Sequence, residues 1–169
     1  MNAEQLKSKQ APLKDAYRER PEGALVTLRA EGLLAEGIAC RVETGRALVE
    51  AGLHPATGGD GSQACSGDML LQALAGCAGV TFCAVAAAFG LEIRGGKVVV
   101  EGDLDFRGTL GVAKDCPVGF KAIRLRFEVE SDSDAALLDK AVAVAERYCV
   151  VLQTLRSAPA VVVSRAKPA

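Results

Sequence analysis

Residues 66–89 read SGDMLLQALAGCAGVTFCAVAAAF, and between Asp68 and Glu92 no charged side chain occurs for 23 residues. Such a run belongs in a bilayer or in the interior of a fold, and about 20 apolar residues suffice to cross a membrane as a helix. This one is rich in Ala, Gly and Cys, carries Gln72 and Thr81, and is poor in the residues that drive membrane insertion most strongly. The rest of the chain is patterned for water. A helix buried on nearly all sides by protein is therefore expected, with no membrane partner. Its ends are marked. Ser66 can accept a bond from a free amide of the first turn, Asp68 complements the positive helix end, and Gly90 suits a left-handed cap. Small residues at Ala75, Gly76, Gly79 and Cys83 would let another helix approach closely.

Before this helix lies a loop, residues 52–64, GLHPATGGDGSQA, with its glycines and proline. Ahead of the loop, residues 24–30 (ALVTLRA), 38–44 (IACRVET) and 46–51 (RALVEA) are strand-length runs separated by Gly or Glu-Gly. Residues 1–22 read as a charged, peripheral helical arm interrupted near Pro12, and residues 23–169 as a single domain. After the helix, residues 97–106 (KVVVEGDLDF) alternate as a strand does. In residues 121–130 (KAIRLRFEVE), Ile123, Leu125, Phe127 and Val129 alternate with Arg124, Arg126, Glu128 and Glu130, the pattern of a sheet with one wet face.

A second helix is expected from Asp132 or Ser133 to about Ser157, with Leu138, Ala141, Ala145, Tyr148, Cys149, Leu152 and Leu155 on one apolar stripe. A short strand over residues 160–164 would end the chain. The order β-β-β-α-β-β-α-β makes an α+β fold, an antiparallel sheet set against two long core helices.

Composition removes several classes of function. The formal net charge is −1, and there are no Trp, two Tyr and five Phe. A nucleic-acid surface needs a positive stripe or stacking aromatics, and neither is present. Residues 1–22 lack the apolar segment of a secretory signal, so a cytoplasmic location is expected. Six cysteines there imply free thiols. Positions 40, 65, 77, 83, 116 and 149 contain no C-x-x-C, and His54 is the single histidine, so no metal centre and no cofactor are expected.

Two of these cysteines, Cys77 and Cys149, fall on the two core helices. Cys40, Cys65 and Cys83 read as small hydrophobes. Cys83 follows Cys77 by six positions, about 120° round the helix, and does not share its face. Cys116 reads as a loop residue. His54 stands in the loop that leads to the central helix, where an imidazole could act as a base near neutral pH.

Residues 66–83, SGDMLLQALAGCAGVTFC, resemble the central-helix signature of the OsmC/Ohr family, with an acidic start and a cysteine about ten residues on. Residues 145–155, AERYCVVLQTL, resemble the family's second cysteine helix, and the resemblance extends over roughly residues 24–165. It implies an OsmC-like fold, an interleaved homodimer with sheet wrapped around two long core helices, and a thiol peroxidase site at the interface. By that likeness Cys77 attacks an organic hydroperoxide, Cys149 resolves the sulfenic acid as a disulfide, and an unidentified dithiol reductant closes the cycle. The alternative is a non-catalytic OsmC-fold module that binds an apolar small molecule.

The chain departs from the family's charged partners. Residues 34–37 read LAEG where peroxidases of the family carry an arginine. Gly67 stands at the glutamate position ten residues before Cys77, with Asp68 one residue later as the candidate substitute. Arg41, Arg46 and Arg147 are candidate cations. A cysteine in mid-helix is beyond useful reach of the helix dipole, so its thiolate needs a donor or a charge from another element.

Overall fold

The structure, a computed structural model, describes residues 49–166 except Val112, the backbone of residues 32–34, 40–43 and 48, and four helical residues near the N-terminus, Glu4, Gln5, Ser8 and Glu19. The rest of the arm expected over residues 1–22, and the strand expected over 24–30, lie outside the described residues. Strands β1 (Gly32–Leu34), β2 (Cys40–Glu43) and β3 (Leu48–Gly52) pair antiparallel in sequence order, and β3 pairs in parallel with β4 (Ala64–Cys65). That parallel pair qualifies the expectation of an antiparallel sheet. β5 (Gly95–Leu104) and β6 (Phe120–Glu130) form a separate antiparallel ribbon.

In this ribbon, register follows the sequence pattern. Val98 lies opposite Phe127 and Val100 opposite Leu125, facing the helices. On the wet face Lys97 meets Glu128 at 3.0 Å, and Arg124 pairs with Glu101 and Asp103. Such exposed pairs contribute at most about 1 kcal/mol each; the apolar face gives the ribbon its orientation. Gly96 has φ +142°, and a Cβ there would stand 2.3 Å from the Glu128 carbonyl oxygen, so only glycine fits.

The central helix α1 spans Ser66–Phe89, and Gly90 at φ 69° caps it with its amide on the Ala86 and Ala87 carbonyls. Its N-cap is Cys65, which makes no side-chain cap bond, and not Ser66, which is the first helical residue. Asp68 is in the first turn as expected.

Burial of α1 differs from the expectation. Its buried residues are Leu74, Ala78, Phe82 and Ala86, one stripe at four-residue spacing. The opposite face is open, and Val80 is 73% exposed. Among the described residues this is one helix long and apolar enough to cross a membrane.

A one-turn helix, α2 (Phe106–Thr109), follows β5. The second long helix is not continuous. α3 (Ala135–Tyr148) is capped by Asp134, whose carboxylate accepts from the Leu137 amide at 3.2 Å, two residues later than the first position expected. At Cys149 the chain turns to φ −71°, ψ 107°, and α4 (Val150–Arg156) begins. Two residues leave the stripe extrapolated for one helix: Tyr148, in the last turn of α3, is 63% exposed, and Leu155, beyond the break, is 37% exposed.

Small residues bring the helices together, but not the ones expected. Phe82 and Ala86 of α1 pack with Ala141 and Ala145 of α3, and Ala78 with Cys149. A Cβ at Gly76 would meet nothing within 4 Å, and Cys83 is exposed, contrary to its reading as a core hydrophobe. Residues 160–164 are not a strand; Val161, Val162 and Val163 are extended into solvent at 78%, 91% and 90% exposure.

Candidate functional site

Leu74 and Ala78 of α1 and Cys149 at the helix break form one fully buried cluster, and half-buried Cys77, Val151 and Leu152 pack against it. Val98, Val100, Ile123, Leu125 and Phe127 of the ribbon close it from the sheet side. Among the described residues Cys65, Cys77, Cys83, Cys116 and Cys149 are free thiols, and of these only Cys77 and Cys149 meet in one cluster.

The break decides what surrounds the sulfurs. In a continuous helix each N–H donates to the carbonyl four residues back. The Cys149 amide still donates to the Ala145 carbonyl at 2.9 Å, and the Gln153 amide to the Cys149 carbonyl at 2.9 Å. Between them, the Val150, Val151 and Leu152 amides open α4 without a helical carbonyl four residues back, and Val151 and Leu152 pack against the thiol cluster. Thr81, four residues after Cys77, donates to its carbonyl oxygen at 2.7 Å and also acts on its sulfur.

The two thiols are pushed in opposite directions. Burial raises the Cys77 thiol, but the Val151 amide, the Cys149 thiol, the Val150 amide and the Thr81 hydroxyl outweigh it and hold Cys77 below its ordinary value. Burial raises Cys149, and the neighbouring Cys77 adds to the rise, against the Leu152 and Val151 amides. Cys77 is the thiol that ionises first, and Cys149 is the one that keeps its proton.

The other candidates stand elsewhere. Asp68 is exposed, nine residues and about half a rotation from Cys77 on the same helix, so within one chain α1 does not bring them together. His54 caps a 3-10 turn, its Nδ1 accepting from the Ala56 amide at 3.0 Å, and its ring stacks on Phe106 at 4.8 Å. Cys116 is in the loop as read. Its thiol is raised by a bond with Asp105 and by burial, the reverse of an activated nucleophile. Arg147 is exposed over the Tyr148 ring, Arg41 lies in β2 opposite Leu33 and Glu50, and Arg46 lies outside the described residues. Among the described residues no group of His, Cys, Asp and Glu is arranged to hold a metal ion.

Beside the thiols is a cavity of about 430 Å³. Leu74 and Leu152 belong both to its wall and to the cysteine cluster; Ile123, Leu125 and Phe127 extend the apolar lining, and Lys121, Glu146 and Arg156 stand at its polar side.

Known proteins share this arrangement of elements. The family model described as OsmC-like protein matches residues 59–164, and the chain belongs to that family. An OsmC-like protein from Mycoplasma pneumoniae superposes with a TM-score of 0.66 at 18% identity, over 79% of this chain and 89% of that one. An organic hydroperoxide resistance protein from Legionella pneumophila gives 0.61 at 16% identity, over 79% and 91%. One from Elizabethkingia anophelis gives 0.59 at 12%, over 79% and 91%. At these identities the likeness is one of fold. No curated protein matches the chain.

The sequence puts Cys77 and Cys149 on segments that do pack together, but it does not show the break between α3 and α4. No Pro or Gly marks the break at Cys149, and the backbone groups that act on Cys77 leave no side-chain signature.

Proposed function

We propose that this chain is a cytoplasmic, thiol-dependent peroxidase that reduces organic hydroperoxides, with Cys77 as nucleophile and Cys149 as resolving thiol. The observation that carries the reading is the pairing of an acidified Cys77 with a protonated Cys149 in one apolar cluster. The Cys77 thiolate attacks the terminal oxygen of ROOH. The O–O bond breaks, Cys77 becomes a sulfenic acid, and the alkoxide takes a proton from water and leaves as ROH. Cys149 then attacks the sulfenic sulfur, its proton leaves with the hydroxide as water, and an S–S bond forms. A dithiol reductant returns both cysteines to thiols.

Support for an organic substrate comes from the apolar wall that the cavity shares with the thiols. The open face of α1, with Ala73, Gly76 and Val80 at helical spacing and no charge, supports a homodimer in which a second copy, not lipid, covers it. In such a dimer Asp68 of one copy could serve the site of the other. The absence of a charged partner at Cys77 among the described residues favours a second reading, a non-catalytic module that binds an apolar small molecule in the same cavity.

Consumption of cumene hydroperoxide and of hydrogen peroxide, with dithiothreitol as reductant, separates the two. The peroxidase reading expects multiple turnovers with the organic peroxide preferred. No consumption by the wild type, with cumene alcohol still bound, would leave the binding module.

A further inference from the structure

The β5–β6 ribbon has an outer edge that no described strand covers. β5 pairs with β6 on one side only, so among the described residues its other edge leaves a row of amides and carbonyls without strand partners. Beside this edge runs a groove. Asp68, Gln72 and Ala75 of α1 and Val98, Val99 and Val100 of β5 line a cavity of about 420 Å³. A second cavity of about 320 Å³ shares Val98 with it and extends past Gly79 to Gly95. Residues 95–100 give the groove a length of about 20 Å, that of a six-residue strand.

The chain also carries a segment suited to such an edge. Residues 159–165 read PAVVVSR, and Val161, Val162 and Val163 are extended, unpaired and almost fully exposed. Consecutive β-branched residues favour a strand, and a proline, which lacks an amide, suits its first position. Charge agrees with this fit. Neither Asp68, at one end of the groove, nor Arg165, at the end of the segment, has an ion-pair partner among the described residues.

We infer that residues 160–165 of a second copy add to the free edge of β5 as a strand, with the three valines over the groove and Arg165 beside Asp68. A Cβ on Gly67, next to Asp68, would stand 3.5 Å from Leu104, so Asp68 marks the C-terminal end of β5 and the added strand runs parallel to it. By two-fold symmetry each copy gives its segment and receives the other's. The chain's own segment fits the groove poorly. It leaves α4, which packs against α1 on the Cys77 side, whereas Ala75 and Gly79 stand about 160° round α1 from Cys77. Passing half way round a helix about 10 Å across takes roughly five extended residues and leaves about three before Arg165. A copy packed on the open face of α1, where Val80 lies, meets no such obstacle.

The inference rests on the homodimer proposed above and on none of the Cys77 chemistry. Its test is Val162→Asp. Val162 is 91% exposed in the single chain, so the substitution leaves a folded monomer undisturbed and acts only where a partner buries it. Sedimentation equilibrium should show the dimer dissociation constant raised by about tenfold or more, because a charge is placed in an apolar groove. Hydrogen exchange should show the amides of Val98–Val100 protected in the wild type and faster by about tenfold in the variant. A Val99→Cys protein mixed with Val161→Cys, Val162→Cys or Val163→Cys and oxidised should give a cross-linked peptide joining the two chains. A wild-type dimer whose dissociation constant and β5 protection are unchanged by Val162→Asp would overturn the strand exchange and leave the homodimer standing. A wild type that is monomeric overturns both. A cross-link that forms within a Val99→Cys/Val162→Cys chain and never between chains would also overturn the inference, giving the groove to the chain's own segment.

Discussion

Cys77 of α1 packs against Cys149, which is fully buried at the break between α3 and α4, so the first turn of α4 begins beside both thiols. Among the described residues no charged group lowers the Cys77 thiol; the backbone of Val151 and Val150 and the side chains of Cys149 and Thr81 do. An amide favours the thiolate through a hydrogen bond and brings no mobile counter-charge of its own, so the site's acidity depends on backbone geometry.

The first consequence is a pH order among the thiols. Cys77 is held below the ordinary thiol value, so its reactive thiolate persists to lower pH than that of Cys116, which is raised. As pH falls from 9 to 6, iodoacetamide labelling of Cys116 should vanish well before labelling of Cys77. Cys149→Ala removes the thiol donor to Cys77 and should move the Cys77 profile upward. If Cys116 labels faster than Cys77 at pH 7, the assignment of the nucleophile is wrong.

Leu74 is 0% exposed and stands between the cavity and the thiols. Leu74→Ala should destabilise the fold by about 3 kcal/mol, the usual range for a buried Leu truncated in a core that cannot collapse. Urea unfolding measures it, and a loss under about 1 kcal/mol would mean that the cavity is filled or closed in solution.

Val80 lies on the open face of α1, a quarter to a half turn from the sites that face the sheet. With a second copy packed there, Val80→Glu buries a charge in the interface and should convert a dimer of twice the 17.5 kDa chain mass to monomer. Sedimentation equilibrium at micromolar concentration reads this. A wild type that sediments as a folded monomer removes the dimer.

How legible all this was in the sequence depends on whether side chains or backbone carry the feature. The limits of α1 at Ser66 and Gly90, and the ribbon register that puts Ile123 and Leu125 inward, follow from charge-free length, glycine and alternation. Cys149 was placed on the correct stripe because α3 keeps its period as far as Ala145. Beyond that point periodicity fails. No residue type announces the turn at Cys149, and the exposed bonds that span it, Gln153 to Glu146 and Arg156 to Glu146, look in sequence like ordinary solvated side chains. The expected strand over 160–164 has strong β-forming residues but pairs with no strand among the described residues, and propensity alone does not make a strand.

The last prediction bears on the division of labour between the cysteines. A Cys77 sulfenic acid forms next to a buried thiol that has kept its proton, with no unfolding needed to bring the two together. Substoichiometric cumene hydroperoxide should therefore yield a Cys77–Cys149 disulfide, reversible by dithiothreitol, as the first product on non-reducing peptide maps. In Cys149→Ser the sulfenic acid has no partner. With excess peroxide it should advance to sulfinic and sulfonic acid, and consumption should stop within about three equivalents, one for each oxidation step. Cys77→Ser should consume no peroxide, while Cys83→Ser, on the exposed side of α1, should behave as wild type. Full multiple turnover by Cys149→Ser would remove Cys149 from the mechanism, and a first disulfide to Cys65 or Cys116 would reassign the resolving thiol.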